Sequence, residues 1–315
     1  MAVRIPRVVV VGATYVDMTV RCGKIPEAGQ TVTGSGFSCA ATGAGLNQAV
    51  QAALCGCQVH LISKVCNDIF GQVIKENLAS FNVNTGLLCT AEAKNTGIIV
   101  TLVNSEGENS SCIAEGANRA LRPQDIECDA AEQIISSADV VLIHGQLPPD
   151  AVSAAIKMAN LHRKKVILDP TAVALTAEVP IEFFSVNVLI PDLHEAAEIA
   201  DVAAENIHET KMIGSDLVAR GVECVVIKMG RKGCLVIDRN GAKHIPAFSV
   251  ELVDQTCSGD AFAGALAASV AVGDNIEQAV KFASAAGALA CTRFGAQDSL
   301  PKKEEIIQLL QQQSD

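Results

Sequence analysis

Short apolar runs at residues 8–11, 140–143, 166–168, 188–190 and 224–227 constrain this chain more than any other feature. Polar or turn-forming residues stand beyond them: Gly12, Gln146, Asp169, Asp192 and Lys228. A strand that is apolar on both faces belongs inside a parallel sheet covered on both sides by helices. Helical patterns at 150–160, 194–201 and 207–220 fall between the later runs, so from about residue 120 strand and helix alternate. The expected fold is therefore α/β, a doubly wound, mostly parallel sheet flanked by helices. Other strands are expected at 60–64, 234–237 and 242–248, the last two antiparallel. Other helices are expected at 48–54, from Asp68 to about Ser80, and at 261–272, 276–291 and 304–312.

Two segments break the alternation. Residues 16–40 carry Gly23, Pro26, Gly29, Gly34 and Gly36 and suit two or three exposed antiparallel strands. Residues 96–104 and 110–114 read as a hairpin around Glu106 and Gly107. Pairing of the two makes a small sheet. The expected organisation is an α/β domain from 1–13, 43–93 and 117–315, with a β lid from 14–42 and 94–116.

Composition excludes several partners. Net charge is −11 and no basic run tracks a phosphate backbone. Aromatics make up 3%, with Tyr15 the one tyrosine and no tryptophan, too few for base-stacking platforms. Nucleic acid and anionic membranes are thus not expected partners. No apolar stretch is long enough to span a bilayer, and Asp17 interrupts any leader-like start. The twelve cysteines contain no C-x-x-C pair; Cys55 and Cys57 are the closest. Reduced thiols in a cytoplasmic protein are expected.

The chemistry is expected between Asp254 and Phe262. Ser258 and Gly259 suit a turn into an Ala-rich run that reads as a buried helix. The free N–H groups at such a helix start favour an anion, and Asp260 in the first turn lies beside it. A phosphate held by N–H groups next to a carboxylate suits phosphoryl transfer to a hydroxyl. On these residues alone, simple helix capping explains Ser258 and Asp260 equally well. Asp17, Asn47, Gln146, Asp169, Asp192, Glu195 and Lys228 also stand at predicted strand ends, where open α/β sheets bind ligands.

In order along the chain, several stretches resemble the ribokinase-like (PfkB) carbohydrate kinases, the ribokinase branch most closely. They are Gly12 to Asp17, Pro26 to Thr33, Gly43 to Ala49, Asn104 to Asn109, Gly116 to Asn118, Asp254 to Phe262 and Thr292 to Ser299. The resemblance implies that Asp260 is the catalytic base and that the backbone N–H groups of Cys257, Ser258 and Gly259 form the anion hole. It implies that Asp192 and Glu195 act through Mg²⁺ and its waters, with Asp192 standing where the family has Asn. Lys228, Gly230 and Gly233 match the turn around the nucleotide, ATP. Asp254, Thr256, Ala290, Arg293, Gly295 and Ser299 match a monovalent-cation loop, a possible K⁺ site; a purely structural loop fits those residues as well.

Asp17 and Asn47 match sugar-hydroxyl ligands, with Gly43 beside them. This chain departs from the ribokinase pattern at Tyr15 (usually Asn), Ala44 (usually Lys) and Gln146 (usually Glu). The resemblance implies an ATP-dependent kinase for a primary hydroxyl of a pentose-like sugar, homodimeric through the lid. A nucleoside kinase in which Tyr15 stacks on a base, and a non-catalytic sugar- or nucleotide-binding regulator, remain as alternatives.

Overall fold

The computed structural model describes residues 4–92, 95–171, 179–202 and 206–313. Its strands are β1 (Arg7–Val11), β2 (Tyr15–Cys22), β3 (Gly34–Thr42), β4 (Gln58–Val65), β5 (Leu88–Thr90), β6 (Ile98–Val103), β7 (Asn109–Ala114), β8 (Val140–His144), β9 (Lys165–Asp169), β10 (Val188–Leu189), β11 (Cys224–Lys228), β12 (Cys234–Asp238) and β13 (Gly241–Ile245). Its α-helices are α1 (Ala44–Leu54), α2 (Ile69–Ser80), α3 (Pro123–Ile126), α4 (Asp129–Ser137), α5 (Pro149–Leu161), α6 (Leu193–Ala200), α7 (Ile207–Ala219), α8 (Ser258–Val272), α9 (Ile276–Ala290) and α10 (Lys303–Gln312).

The main sheet runs β13-β12-β11-β10-β9-β8-β1-β4-β5. It is parallel from β11 to β5, and β12 and β13 add antiparallel at one edge. Along β1, Val8 and Val10 enter one core with α1, α2, α8, α9 and α10, while Val9 and Val11 enter a second core with α3 to α7. All four valines are at most 1% exposed. Each contributes about 1.5–3 kcal/mol by burial, which is why the apolar runs sit centrally. β1 lies between β4 and β8, so its carboxyl end is where the sheet order switches and a crevice opens.

A second sheet runs β3-β2-β6-β7. The 16–40 segment forms two strands, antiparallel to each other, and β2 pairs in parallel with β6, joining the two segments as expected. The expected boundary at 93/94 lies outside the described residues.

Five elements differ from the sequence expectation. The short β5 and the helices α3 and α4 carried too little periodicity to be read. Helix α8 begins at Ser258, not at Ala261. Helix α1 begins at Ala44, a turn earlier than expected, although Gly43 and Gly45 look like breakers. The reason is contact: a Cβ on Gly45 would sit 2.5 Å from the Gly12 backbone, so only glycine lets α1 start against the end of β1. No described helix is long and apolar enough to cross a membrane.

Candidate active site

Helix α8 is apolar all round because α1 and α9 cover it on both sides. Gly264 permits the close approach of α1: a Cβ there would lie 2.5 Å from the Gln48 carbonyl oxygen and 2.7 Å from Gln51 Cβ. That approach carries Asn47 and Gln48, both buried, to the first turn of α8. Asn47 Nδ2 donates to Asp260 Oδ2 at 2.9 Å, and Gln48 Nε2 reaches Asp260 Oδ1 at 3.4 Å.

Cys257 precedes α8 with φ 67°, in the left-handed region that costs a non-glycine residue about 1–2 kcal/mol. The thiol offsets some of that strain by donating to Asp260 Oδ2 at 3.4 Å. Burial and the neighbouring Asp260 push the Cys257 thiol well above its ordinary pKa, so it stays a neutral donor. Asp260 itself is pushed up to about 6 by burial, with Asp169 adding to the rise and the Asn47 bond and Lys228 opposing it.

Three strand ends contribute the surrounding charges. Lys228, at the end of β11, donates to Asp169 Oδ1 at 2.8 Å, and Gln48 Nε2 donates to Asp169 Oδ2 at 2.8 Å. Burial works against the Lys228 charge, but Asp169 and Glu195 outweigh it and raise its pKa to about 12. His144 ends β8; burial pushes its pKa down, against the pull of Asp169. Its Nδ1 accepts from the backbone N–H of Gln146 at 3.3 Å.

Asp192 caps α6 reciprocally with Glu195: Glu195 N donates to Asp192 Oδ1 at 2.8 Å and Asp192 N to Glu195 Oε2 at 2.7 Å. Burial pushes Glu195 up to about 7, with Lys228 opposing. One oxygen of each carboxylate carries no bond within this pair. Among the described residues no cluster of three or more His, Cys, Asp or Glu could hold a metal unaided. Two carboxylates fit Mg²⁺, a hard cation that keeps waters and takes its remaining ligands from phosphates.

Beyond Lys228 the chain turns through Gly230 (φ 55°) and Gly233 (φ 82°). A Cβ on Gly233 would lie 2.1 Å from the Ile245 carbonyl oxygen, so packing alone demands glycine there. A cavity of about 780 Å³ opens beside this turn, lined among others by Asp192, Lys228, Met229, Arg231, Lys232 and His244.

The motifs and geometry point the same way as the whole-chain comparison. A model of the family described as pfkB family carbohydrate kinase matches residues 6–303. The chain belongs to the pfkB family of carbohydrate kinases. The ribokinase of Bacillus subtilis (strain 168) is 33% identical over 305 residues, covering 96% of this chain and 98% of that protein. A deoxyribokinase of Salmonella typhi is 28% identical over 307 residues, covering 96% and 98%. The structure of Arabidopsis thaliana ribokinase complexed with ribose and ATP superposes with a TM-score of 0.91 at 26% identity, covering 98% of this chain and 99% of that one. The protein is thus a phosphotransferase of the sugar-kinase type, with an alcohol group as acceptor.

The kinase brings together Asp260, Asn47, Cys257 and Lys228, with Asp192 and Glu195 beside them. Asp17, on the small sheet, accepts from Thr19 Oγ1 at 2.5 Å and from Thr101 Oγ1 at 2.8 Å. The loops of the expected cation site also meet: Asp254 Oδ1 accepts from Thr256 N at 2.9 Å and Oγ1 at 2.7 Å, and Oδ2 from Gly295 N at 3.1 Å. Burial would raise the Asp254 pKa, but these bonds outweigh it and hold the group low. Arg293 pairs with Glu305, the Ala290 carbonyl accepts from Arg293 N at 3.4 Å, and buried Ser299 donates to the Ala296 carbonyl at 2.7 Å.

Tyr15 departs from expectation. It is 1% exposed, its ring wedged against Gly43 and Gly97, with no face open to a substrate. Sequence reasoning passed over Gln48, His144 and Thr101. Gln48 looked like one more polar residue on a helix; its position one residue after Asn47 was the available signal.

Proposed function

We propose that this kinase transfers the γ-phosphate of ATP to a primary hydroxyl of a pentose-like sugar, with Asp260 as general base. The observation that carries the reading is the Asp260 carboxylate at the start of α8. Oδ2 is held by Asn47 and Cys257, while Oδ1 has only the long contact to Gln48 and is the oxygen free to take the hydroxyl proton. The N–H groups of Cys257, Ser258 and Gly259 stabilise charge on the transferring group. Lys228 and the Gly230–Gly233 turn hold the nucleotide side. Asp192 and Glu195 would hold Mg²⁺ through water, and that ion would neutralise phosphate charge. Asp17, Asn47, Gly43 and Gln146 line the sugar side, with Tyr15 packed beneath them.

The segments 14–42 and 94–116 act as a lid whose closure excludes water. One face of this sheet places Phe37, Val20 and Leu102 in one row and Cys39, Met18, Val100 and Cys112 in the next. Phe37 is 68% exposed and Val100 38%. Such a face suits covering by a second copy, which supports a homodimer through the lid. K⁺ would sit between the Asp254 and Gly295 loops, held mostly by carbonyl oxygens. No two of the described cysteines are joined in a disulfide, which supports a cytoplasmic location. Burial of Tyr15 takes away the ring on which a nucleoside reading depended.

The test is a coupled ADP-release screen over pentoses, hexoses and nucleosides, in potassium and sodium salts at matched ionic strength. We expect release with a pentose, faster in potassium. Release with no polyol retires the kinase reading, and equal rates in the two salts retire the cation site alone.

A further inference from the structure

Four bonds cross the crevice in series. Lys228 Nζ donates to Asp169 Oδ1 at 2.8 Å, and Gln48 Nε2 donates to Asp169 Oδ2 at 2.8 Å. The same Gln48 nitrogen reaches Asp260 Oδ1 at 3.4 Å, and Asn47 Nδ2 holds Asp260 Oδ2 at 2.9 Å. The series therefore runs from the nucleotide turn to the sugar side through the carboxylate proposed as base.

Its middle members touch neither proposed substrate position in the roles assigned so far, yet both are buried: Asp169 is 5% exposed and Gln48 0%. An amide has two N–H groups on one nitrogen, and here both face anions. The orientation of Gln48 is thereby fixed, because a flipped amide would set its oxygen against two carboxylates. That orientation leaves Gln48 Oε1 buried without a partner, an arrangement that costs about 1–3 kcal/mol. A residue kept only for packing would be apolar here.

We infer that Asp169 and Gln48 are positioning residues for the Asp260 carboxylate, linking it to Lys228 through three successive hydrogen bonds. The inference rests on Asp260 being the base. The charged and titratable groups facing this series are Lys228 from β11, Asp169 from β9, His144 from β8, Asp192 and Glu195 from the start of α6, and Cys257 from the start of α8. Asp169 raises the proton affinity of Asp260 and Lys228 lowers it, so the ion pair sets a net field as well as a position.

The test uses two near-isosteric variants of the full chain, Gln48→Met and Asp169→Asn, each checked for an unchanged Tm. Gln48→Met is expected to lower kcat about tenfold or more, with KM for ATP within about twofold, since it loosens the base and not the nucleotide turn. Asp169→Asn is expected to move the acid limb of kcat/KM down by about half a unit or more, because the raising charge is gone. A residue that merely supports the fold would lower the rate at every pH and leave the limb in place. A Gln48→Met kcat above half of wild type, together with an unmoved limb in Asp169→Asn, overturns the inference and leaves the kinase reading standing. If the wild-type chain turns over no polyol, both fall together.

One measurement needs no variant. The side-chain amide signals of Gln48, followed by nuclear magnetic resonance, are expected to shift as Asp260 titrates near its raised pKa of about 6. Signals that stay fixed through that range overturn the contact itself.

Discussion

The two walls of the crevice are built differently. Along the wall of α6, α8 and the ends of β9 and β11, carboxylates are matched with donors: Asp169 with Lys228 and Gln48, Asp192 with Glu195 N, Asp260 with Asn47 and Cys257. Along the wall of α1 and β2, buried polar atoms go without: Tyr15 Oη, Asn47 Oδ1 and Gln48 Oε1. On the first wall each carboxylate has at least one oxygen fixed before any ligand arrives, as preorganised charge stabilisation requires. On the second wall, Asn47 Oδ1 lies on the same side chain that holds the base, and an incoming hydroxyl there would remove a cost of about 1–3 kcal/mol. Chemistry is held by satisfied groups and recognition is left to unsatisfied ones.

The strongest way to break that contrast is at the first wall. Asp260→Asn is expected to lower kcat by roughly 10²–10⁴ while nucleotide affinity stays near wild type, because the change removes a base and no phosphate contact. ADP release and nucleotide titration read the two quantities separately; a variant keeping more than a tenth of wild-type kcat would take Asp260 out of the role. The same group sets a pH limb. Its pKa is raised to about 6, the base must be ionised to act, and so kcat/KM falls as pH drops through about 6 and levels off above it.

Much of the first wall was legible in the sequence. The apolar runs located β1, β8, β9, β10 and β11, and the polar residues after them had to fall at one edge of a parallel sheet. The 254–262 stretch announced the start of α8, within three residues. What could not be read is which groups bond. Lys228 and Asp169 are 59 residues apart, and their pairing follows from the order β11-β10-β9, which no local pattern states. Cys257 could be seen as part of the expected anion hole but not as taking a left-handed backbone. Tyr15 was legible as a substitution only. Its burial depends on Gly43 and Gly97 leaving room on either side of the ring, a contact between segments far apart in sequence.

The second wall can be sharpened by restoring what a ribokinase site usually carries. Ala44→Lys with Gln146→Glu is expected to raise kcat/KM for ribose by about tenfold, since a charged pair makes the stronger hydrogen bonds to hydroxyls. The gain should appear mostly in KM, as uniform binding does, and kcat/KM for the preferred substrate should fall. Both positions adjoin the crevice: Ala44 opens α1, and Gln146 follows His144 at the end of β8. Ribose already used at a low KM by the wild type, with no gain in the double variant, would make these departures neutral.

The smallest effect separates the two kinds of unpartnered atom on that wall. Tyr15 Oη and Asn47 Oδ1 both lack a partner, but Tyr15 is closed in by packing and Asn47 shares its amide with the base. Burial pushes the Tyr15 hydroxyl up to about 12, so it stays neutral and brings no charge to the site. If the hydroxyl serves nothing, Tyr15→Phe removes an unsatisfied donor without opening much space. Stability should then rise by up to about 1 kcal/mol, which for a chain of this size is a Tm increase of about 1–2 °C. KM for the sugar should stay within about twofold, because the ring keeps its place between Gly43 and Gly97. A KM about tenfold higher, with an unchanged or lower Tm, would instead put the Tyr15 hydroxyl among the groups that bind substrate and make the second wall uniform in kind.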